Sequence, residues 1–312
     1  FEMAAMEGST RTDPPPEKDG EYFNPIAETM PREKLEELRD RRLRHIVHWA
    51  YEHSEFYRNM WDKAKVSPDE IKTKDDLVKL PVWNKDNMRQ DQDEEPPYGK
   101  RFVKELWPYV STLYRSTGTT GVPTAQPWCE IEAESGNEAW ARALWANGLR
   151  KGGMYINFLP PDRGYLAYPL FNDVCRRKLG AVSYCEGFMT LMQDMKGALK
   201  WAIEMGKYYE PLFSIGSTGT FIRMGVYLKE EMKVGSPFDI FSCQGQSLTP
   251  RMRTELEDVH SAPTHKCKAV YTNSTTEYYA FPECYMGYEE AKGSWHQAED
   301  WWILEALDPE NT

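Results

Sequence analysis

The residues best suited to chemistry in this chain form one short run of small hydroxyl side chains and glycines. Residues 116–124 read Ser-Thr-Gly-Thr-Thr-Gly-Val-Pro-Thr. Glycines let a backbone approach a phosphate and turn its N–H groups inward, and the Ser and Thr hydroxyls add further donors. The run therefore favours a loop that wraps the phosphates of ATP. A flexible surface turn is the alternative that the run by itself leaves open.

The charge balance restricts the partners that the chain would bind. The 312 residues include 49 acidic and 38 basic side chains, which gives a net charge of −11. General nucleic-acid binding is disfavoured, because neutralising a phosphate backbone takes an excess of Lys and Arg. A nucleotide site stays compatible with this charge, since it depends on local backbone donors.

The sequence also indicates the cellular compartment of the protein. No apolar stretch approaches the roughly 18 residues that span a bilayer. Residues 1–21 include Asp-Pro-Pro-Pro-Glu-Lys-Asp-Gly at 13–20, which is typical of a flexible polar leader and unlike the apolar centre of a signal peptide. We expect a cytoplasmic protein with no membrane partner, whose cysteines stay reduced.

The elements that must position the hydroxyl-rich loop alternate between strands and helices. Strands are predicted at 154–159, 181–185, 212–215, 238–243 and 267–272, and helices at 166–179, 190–206, 221–231 and 249–259. This alternation predicts an α/β fold, in which parallel-rich sheets are joined by crossover helices. Such sheets bind ligands at the carboxyl ends of their strands. The loops of interest are therefore 116–124, 160–165, 216–219, 244–248 and 273–277.

Three regions are predicted along the chain. They are a flexible leader at 1–21, a helical front section at 22–105 and an ATP- and acyl-binding α/β region at 106–312. The front section has apolar residues at near-helical spacing over 31–53, with Pro31 in a position that suits a first turn. The stretch 281–307 is rich in Trp and Tyr and predicts a β-rich end.

Several segments resemble known enzymes when they are read in chain order. The run at 116–124 resembles the phosphate loop of the adenylate-forming superfamily, the AMP-dependent acyl-CoA synthetases, and Thr276-Glu277 resembles its Tyr-Gly-x-Thr-Glu signature. Segments similar to the phenylacetate-CoA ligase family lie at 51–58 (Tyr-Glu-His-Ser-Glu-Phe-Tyr-Arg), 76–81 (Asp-Leu-Val-Lys-Leu-Pro), 85–89, 282–284 (Pro-Glu-Cys), 295–300 (Trp-His-Gln-Ala-Glu-Asp) and 308–310 (Asp-Pro-Glu). From about residue 22 onward the chain thus resembles the N-terminal portion of such a ligase.

The resemblance implies a two-step reaction. ATP activates a carboxylic acid, aryl or arylacetic, as acyl-AMP, and coenzyme A then takes the acyl group as a thioester. The implied cofactors are ATP, Mg²⁺ and coenzyme A, the implied partner is a small carboxylic acid, and a homodimer is the default assembly. A carboxylic acid has a pKa of about 4 and is already an ionised nucleophile at neutral pH. The first step therefore needs positioning and charge neutralisation and no general base.

The resemblance also implies residue roles. Thr276 and Glu277 are the implied catalytic pair, with Thr276 on the α-phosphate and the Glu277 carboxylate on the magnesium ion. The implied ATP-binding residues are Ser116, Thr117, Gly118, Thr119, Thr120, Gly121, Gly245, Gln246, Ser247 and Asn273. The residues implied to face the acyl group are Tyr165, Tyr168, Phe171 and Ser217. Such a slot would favour an aryl acid. Ordinary core packing is the alternative for its aromatic members.

Four departures separate this chain from the family pattern. Val122 stands where the phosphate loop commonly has Lys, whose charge-assisted contact is worth about 1.5–3 kcal/mol. Gln246 replaces Glu, and Asn273 with Ser274 replaces the signature Tyr and Gly. The sequence ends at Thr312, before the family's ribose-binding Asp, hinge and small mobile domain with its catalytic Lys. We therefore expect this chain alone not to complete the ligase reaction.

Three other hypotheses stay open. The same family includes synthetases that adenylylate a deazaflavin coenzyme. A non-catalytic or partial subunit would keep the fold to hold a nucleotide or a partner, which Val122 and Asn273 favour and the Thr276-Glu277 pair opposes. A zinc site is suggested by ligand type alone, since the spacing fits no standard signature. Its ligands would be His260, His265, Cys267 and Cys284.

Overall fold

The chain divides into two compact units. The computed structural model describes residues 20–116, 123–160, 171–186, 188–245, 248–263, 265–273, 281–282, 297–305 and 307. The helical unit comprises Pro25–Ala133 and Ala298–Thr312, and the sheet unit comprises Phe1–Asn24 and Glu134–Gln297. The boundary between the two units falls at 133, and the region boundaries that the sequence suggests stay predictions.

The helical unit combines helices with one short hairpin. Its elements are α1 (Pro25–Glu28), α2 (Arg32–His53), α3 (Glu55–Ala64), α4 (Lys85–Glu94), three 3₁₀ turns (Pro68–Glu70, Lys74–Lys79 and Lys104–Tyr109), β1 (Val110–Arg115) and β2 (Ala125–Cys129). The strands β1 and β2 pair antiparallel, with Leu113 opposite Pro127. Gln92 of α4 joins the hairpin to the rest of this unit, because it hydrogen-bonds to Pro123 and Ala125 where the connecting loop enters β2.

The core of the helical unit forms between its two longest helices. Leu43 and Val47 lie one turn apart on α2, so they share a face of that helix. They are buried in one cluster with Trp61 of α3 and with Ile71. The helix predicted at 31–53 is confirmed, with apolar residues at helical spacing on its buried side.

The sheet unit has strands and helices in alternation. Its elements are α5 (Glu130–Ala146, which begins in the helical unit), β3 (Met154–Asn157), β4 (Val182–Cys185), α6 (Phe188–Gln193), α7 (Met195–Met205), β5 (Leu212–Gly216), α8 (Thr218–Tyr227), β6 (Ile240–Cys243), α9 (Pro250–His260), β7 (Lys268–Asn273) and β8 (Phe281–Pro282), with π-helical turns at Val174–Lys178 and Leu228–Met232. Every crossover between parallel strands that the structure describes carries helix, as the α/β prediction requires.

The sheet has the strand order β4-β3-β5-β6-β7-β8. The strands β4, β3, β5, β6 and β7 run parallel, and β8 joins β7 antiparallel. The predicted α/β fold with a parallel-rich sheet is therefore confirmed. The antiparallel β8 agrees with the predicted β character after residue 281, as far as the described residues go.

Both faces of the sheet are covered by helices. Ile156 of β3 belongs to a buried cluster that includes Leu199 of α7 and Phe221 of α8. Its neighbour Tyr155 points to the opposite face, because side chains alternate along a strand. There it stacks on Phe171, whose ring meets Trp140 of α5 edge-on at 4.4 Å between centroids. Burial on both faces explains why the strands are near-continuous apolar runs.

The helices differ in detail from their predicted bounds. The helix expected at 190–206 is two helices, α6 and α7, because the Asp194 side chain accepts a hydrogen bond from Gly197 N at 2.8 Å and starts a new helix. The helix expected at 221–231 begins earlier, at Thr218, behind the N-cap Ser217. No helix in the described ranges has the length and apolar character needed to cross a membrane.

Candidate functional site

Three of the implied ligand-binding residues lie at the ends of neighbouring parallel strands. Ser217 directly follows β5, Gly245 lies just beyond β6, and Asn273 is the last residue of β7. The pairing of β5 with β6 extends past the strand ends, since Gln244 N donates to Gly216 O at 2.9 Å. The three positions therefore share the carboxyl edge of the sheet, which is where folds of this class bind ligands.

Ser217 forms the junction between β5 and α8. Its Oγ accepts a hydrogen bond from Thr220 N at 3.3 Å and lies 2.8 Å from Thr220 Oγ1. Its carbonyl oxygen accepts from Phe221 N at 3.1 Å. The Ser217 hydroxyl is thus engaged in starting the helix. The acyl-facing role implied for Ser217 stays a prediction.

Gly245 and Asn273 lie at the same edge of the sheet. Gly245 has φ of +70°, a conformation that glycine adopts without strain. Its neighbours Gln246 and Ser247 lie outside the described residues. Asn273 pairs across to β8, and the connection between those strands carries Thr276 and Glu277. That catalytic pair also lies outside the described residues, so its implied roles stay predictions.

The hydroxyl-rich loop has a closed neck in the helical unit. Ser116 N donates to Thr124 O at 3.0 Å. The Ser116 hydroxyl accepts in turn from Thr124 N at 3.0 Å and from Thr124 Oγ1 at 3.1 Å. Both residues are buried, so the two ends of the loop are held side by side. Thr117, Gly118, Thr119, Thr120 and Gly121 lie outside the described residues, and the phosphate-binding roles of residues 116–121 stay predictions.

A side chain of α4 clamps the same neck. Gln92 Nε2 donates to Pro123 O at 3.2 Å, and Gln92 Oε1 accepts from Ala125 N at 2.9 Å. The amide thereby bridges the residues on either side of Thr124. Sequence reasoning missed Gln92, because a glutamine in a polar helix carries no pattern that points to a partner about thirty residues away. The clamp and the hydroxyl pair together fix where the loop begins and ends.

Of the three aromatic residues implied to face the acyl group, Phe171 lies within the described residues, and Tyr165 and Tyr168 lie outside them. The Phe171 side chain is fully buried between Tyr155 of β3 and Trp140 of α5. This is the core packing that the sequence left open as the alternative for the aromatic residues. An acyl-facing role for Phe171 stays a prediction, and those of Tyr165 and Tyr168 lie outside the described residues.

Solved structures share this arrangement of strands and helices. A 2-hydroxyisobutyryl-CoA ligase in complex with 2-HIB-AMP and CoA matches with a TM-score of 0.73 and 22% identity, over 84% of this chain and 53% of that one. The same ligase in the postadenylation state with R3-HIB-AMP matches with a TM-score of 0.73 and 20% identity, over 86% and 57%. At these identities the likeness shows the fold, and it confirms the predicted fold of the adenylate-forming enzymes.

Comparison of amino-acid sequences finds proteins of higher identity than these solved structures. The phenylacetate-coenzyme A ligase of Thermus thermophilus is 35% identical over 135 residues, which is 43% of this chain and 29% of that protein. The enzyme of the same name from Escherichia coli is 31% identical over 146 residues, or 47% and 30%. Over this part of its length the chain is similar to the phenylacetate-CoA ligases. The resemblance noted in its motifs is thereby confirmed. No family model matches the chain.

The match covers only part of these phenylacetate-CoA ligases. The aligned stretch spans about three tenths of the length of the curated relatives. The structural likeness extends further along this chain than the sequence alignment and still spans little more than half of the 2-hydroxyisobutyryl-CoA ligase. The activity, substrates and partners of a whole ligase are therefore proposals for this chain.

The histidines of the zinc hypothesis have other hydrogen-bond partners in the structure. His260 Nε2 is 2.8 Å from Phe221 O and its Nδ1 is 2.7 Å from Ser236 Oγ, so both ring nitrogens are engaged. His265 Nε2 is 2.8 Å from Phe238 O. Among the described residues no group of three His, Cys, Asp or Glu side chains could hold a metal ion. Cys284 lies outside those residues.

Two cysteine thiols, those of Cys129 and Cys267, are poor candidates for nucleophiles. None of Cys129, Cys175, Cys185, Cys243 and Cys267, the five within the described ranges, forms a disulfide. Burial raises the pKa of Cys267 to about 11, and it raises the pKa of Cys129 to about 11 with help from Glu132. Both thiols are protonated at neutral pH, and the thiolate is the nucleophile and the metal ligand.

Proposed function

We propose that this chain supplies the acid-activating part of an AMP-forming acid–CoA ligase. The carboxylate of the substrate attacks the α-phosphorus of ATP, a P–O bond forms and pyrophosphate leaves, which gives acyl-AMP. The thiol of coenzyme A then attacks the acyl carbon, AMP leaves and the thiol proton goes to solvent. The substrate class that we propose is an aryl or arylacetic acid.

The proposed roles follow the residues that resemble the family motifs. Residues 116–121 hold the β- and γ-phosphates, and Thr276 donates a hydrogen bond to the α-phosphate. Glu277 is the ligand for Mg²⁺, a hard cation that prefers carboxylate oxygen and supplies charge neutralisation at the phosphates. Gly245, Gln246, Ser247 and Asn273 bind on the adenine side, and Tyr165, Tyr168, Phe171 and Ser217 face the acyl group.

One observation supports the proposal most strongly. Ser217, Gly245 and Asn273 come from separate stretches of the sequence, and they lie at one carboxyl edge on three adjacent parallel strands. The closed neck of the hydroxyl-rich loop gives additional support, because Ser116 and Thr124 hold the ends of a short glycine-containing loop together. The kinship with phenylacetate-CoA ligases favours acid activation over other uses of this fold.

Magnesium-dependent binding of ATP tests the proposal at Glu277. We expect Glu277→Gln to weaken binding of ATP in the presence of Mg²⁺ by about 100-fold, because the amide removes the charge that the metal needs. Glu230→Gln makes the same chemical change on the exposed side of the sheet unit and should bind ATP as the unaltered chain does. Calorimetry with and without Mg²⁺ measures both. Equal ATP affinity for the unaltered chain and Glu277→Gln would contradict the proposed role.

A nucleotide-holding subunit without catalysis is the second candidate. It is favoured by Val122, which removes the Lys contact to phosphate that the family commonly makes, and by Asn273 in place of the signature tyrosine. Such a subunit would bind ATP and fail to exchange pyrophosphate into ATP with any acid. Binding and exchange measured on the same preparation therefore separate the two candidates.

A further inference from the structure

A second copy of the phosphate-loop tetrapeptide occurs in the sheet unit. Residues 116–119 and 217–220 both read Ser-Thr-Gly-Thr. The second copy directly follows the buried strand β5 and opens the ten-residue helix α8. A strand that runs through a hydroxyl- and glycine-containing turn into a helix is an arrangement that presents N–H groups to an anion.

The first turn of α8 contains backbone N–H donors that no acceptor among the described residues uses. Ser217 satisfies two of its N–H groups, accepting from Thr220 N with its hydroxyl and from Phe221 N with its carbonyl. The N–H groups of Thr218 and Gly219 have no partner among the described residues, as is usual for the first positions of a helix. No acidic side chain occupies this first turn. The positive end of the helix is thus left for another anion.

The Thr218 hydroxyl is a second, independent sign of a ligand. The residue is 0% exposed, and its Oγ1 has no hydrogen-bond partner among the described residues. Leaving a buried hydroxyl unpaired is unfavourable. Side chains of a helix tilt toward its N-terminus, so the Thr218 side chain, at the first helical position, lies at the same end of α8 as the N–H groups of Thr218 and Gly219. Thr220, by contrast, is bonded to Ser217.

We propose that the N-terminus of α8 binds an oxyanion, a carboxylate or a phosphate group, through the N–H groups of Thr218 and Gly219 and the hydroxyl of Thr218. This site lies at the carboxyl edge of β5 and is distinct from residues 116–121. The site adjoins Ser217, which the proposed function assigns to the acyl group, and anion binding at Thr218 and Gly219 is measured without any ligase turnover. Thr218 is the residue that orients the anion, and Ser217 shapes the turn.

Amide resonances of the 312-residue chain locate the site directly. Inorganic phosphate, acetate (a carboxylate without an aryl group) and, as an ionic-strength control, chloride are titrated into ¹⁵N-labelled protein. We expect the Thr218 and Gly219 amide signals to shift with saturation in phosphate, in acetate or in both, and the anion that saturates identifies the source. The Gly197 amide, whose helix start already holds the Asp194 carboxylate, should not shift. Because the signals report position, loss of binding at 116–121 would leave this result unchanged.

Matched variants test the hydroxyl. Thr218→Val keeps the shape and removes the hydroxyl, so it should weaken anion binding about tenfold while raising the midpoint of thermal unfolding. Thr218→Ser should restore the affinity. Ser242→Ala removes another buried hydroxyl without a partner among the described residues. Ser242 is next to Cys243, which packs in the cluster with α8, so its side chain points to the opposite face and its removal should leave anion affinity unchanged.

Either of two results would overturn the proposal. One is the absence of saturable shifts at Thr218 and Gly219 with both anions. The other is a Thr218→Val variant that binds the anion as tightly as the unaltered chain, while its thermal unfolding transition shows that the variant is folded.

Discussion

At the scale of single residues, His260 shows how burial sets chemistry. It ends α9 and is 2% exposed. Nε2 donates to the carbonyl of Phe221, so Nδ1 carries the lone pair and accepts from the Ser236 hydroxyl. A second proton would oppose that bond and place a charge in the core. Burial accordingly lowers the pKa of His260 to about 4.

This environment predicts how stability depends on pH. The folded protein keeps His260 neutral down to about pH 4, whereas the unfolded chain takes up the proton below its ordinary pKa of about 6.5. The unfolded state therefore binds more protons between those values, and stability falls as pH drops through that window, by up to about 3 kcal/mol.

Urea unfolding at pH 7, 5.5 and 4.5 measures the effect. His260→Gln removes the titrating group, so its loss of stability between pH 7 and 4.5 should be smaller than that of the unaltered chain. If both proteins lose the same amount across this window, His260 does not titrate as its burial requires.

The sequence does not reveal the contacts of single residues such as His260 and Thr218. His260 was a zinc candidate by ligand type, and nothing in the sequence reveals that Phe221 and Ser236 supply its partners. Thr218 carried no signal, because a threonine at the start of a helix is common. Its importance rests on burial and on an unmatched hydroxyl, which only coordinates reveal.

At the scale of elements, the clamp between α4 and the β1–β2 hairpin controls the hydroxyl-rich loop. We expect Gln92→Leu to lower the free energy of unfolding by about 1–3 kcal/mol, because it leaves Ala125 N and Pro123 O without the amide. A looser neck should also weaken ATP binding about tenfold. Calorimetry with ATP and urea unfolding measure the two effects.

Gln90 provides the matched control for the clamp. It lies on the exposed side of the same helix and bonds only within it, to Glu94 at 2.8 Å. Gln90→Leu should change stability by about 0.5 kcal/mol or less and leave ATP affinity intact. If Gln92→Leu binds ATP as tightly as the unaltered chain, the clamp does not contribute to ATP binding by the loop.

The elements themselves were largely readable from the sequence. The five parallel strands were found because buried strands are continuous apolar runs. The break between α6 and α7 was missed, because Asp194 caps a helix only once its neighbours allow the turn. Nothing in the neighbouring sequence explains the glycine at 225, inside α8. A Cβ at this position would lie 2.8 Å from Nε2 of His260, so the glycine allows α9 to pack close to α8.

At the scale of the whole molecule, the sequence predicts the fold class but not which distant segments pack together. Alternating strands and helices predict the α/β class, and solved ligase structures share it. The placement of β1, β2 and residues 298–305 in the helical unit depends on contacts between distant segments. Arg32, for example, is 2.7 Å from Glu299. Hydrophobic periodicity carries no information about such pairs.

The measurement that tests the central claim most directly is acid-dependent exchange of radiolabelled pyrophosphate into ATP. The purified chain is mixed with ATP, Mg²⁺ and a panel of aryl, arylacetic and aliphatic acids, and Glu277→Gln is run beside it. We predict exchange with an aryl or arylacetic acid that collapses in the variant. No exchange with any acid, together with no ATP binding by a folded chain, would contradict the account.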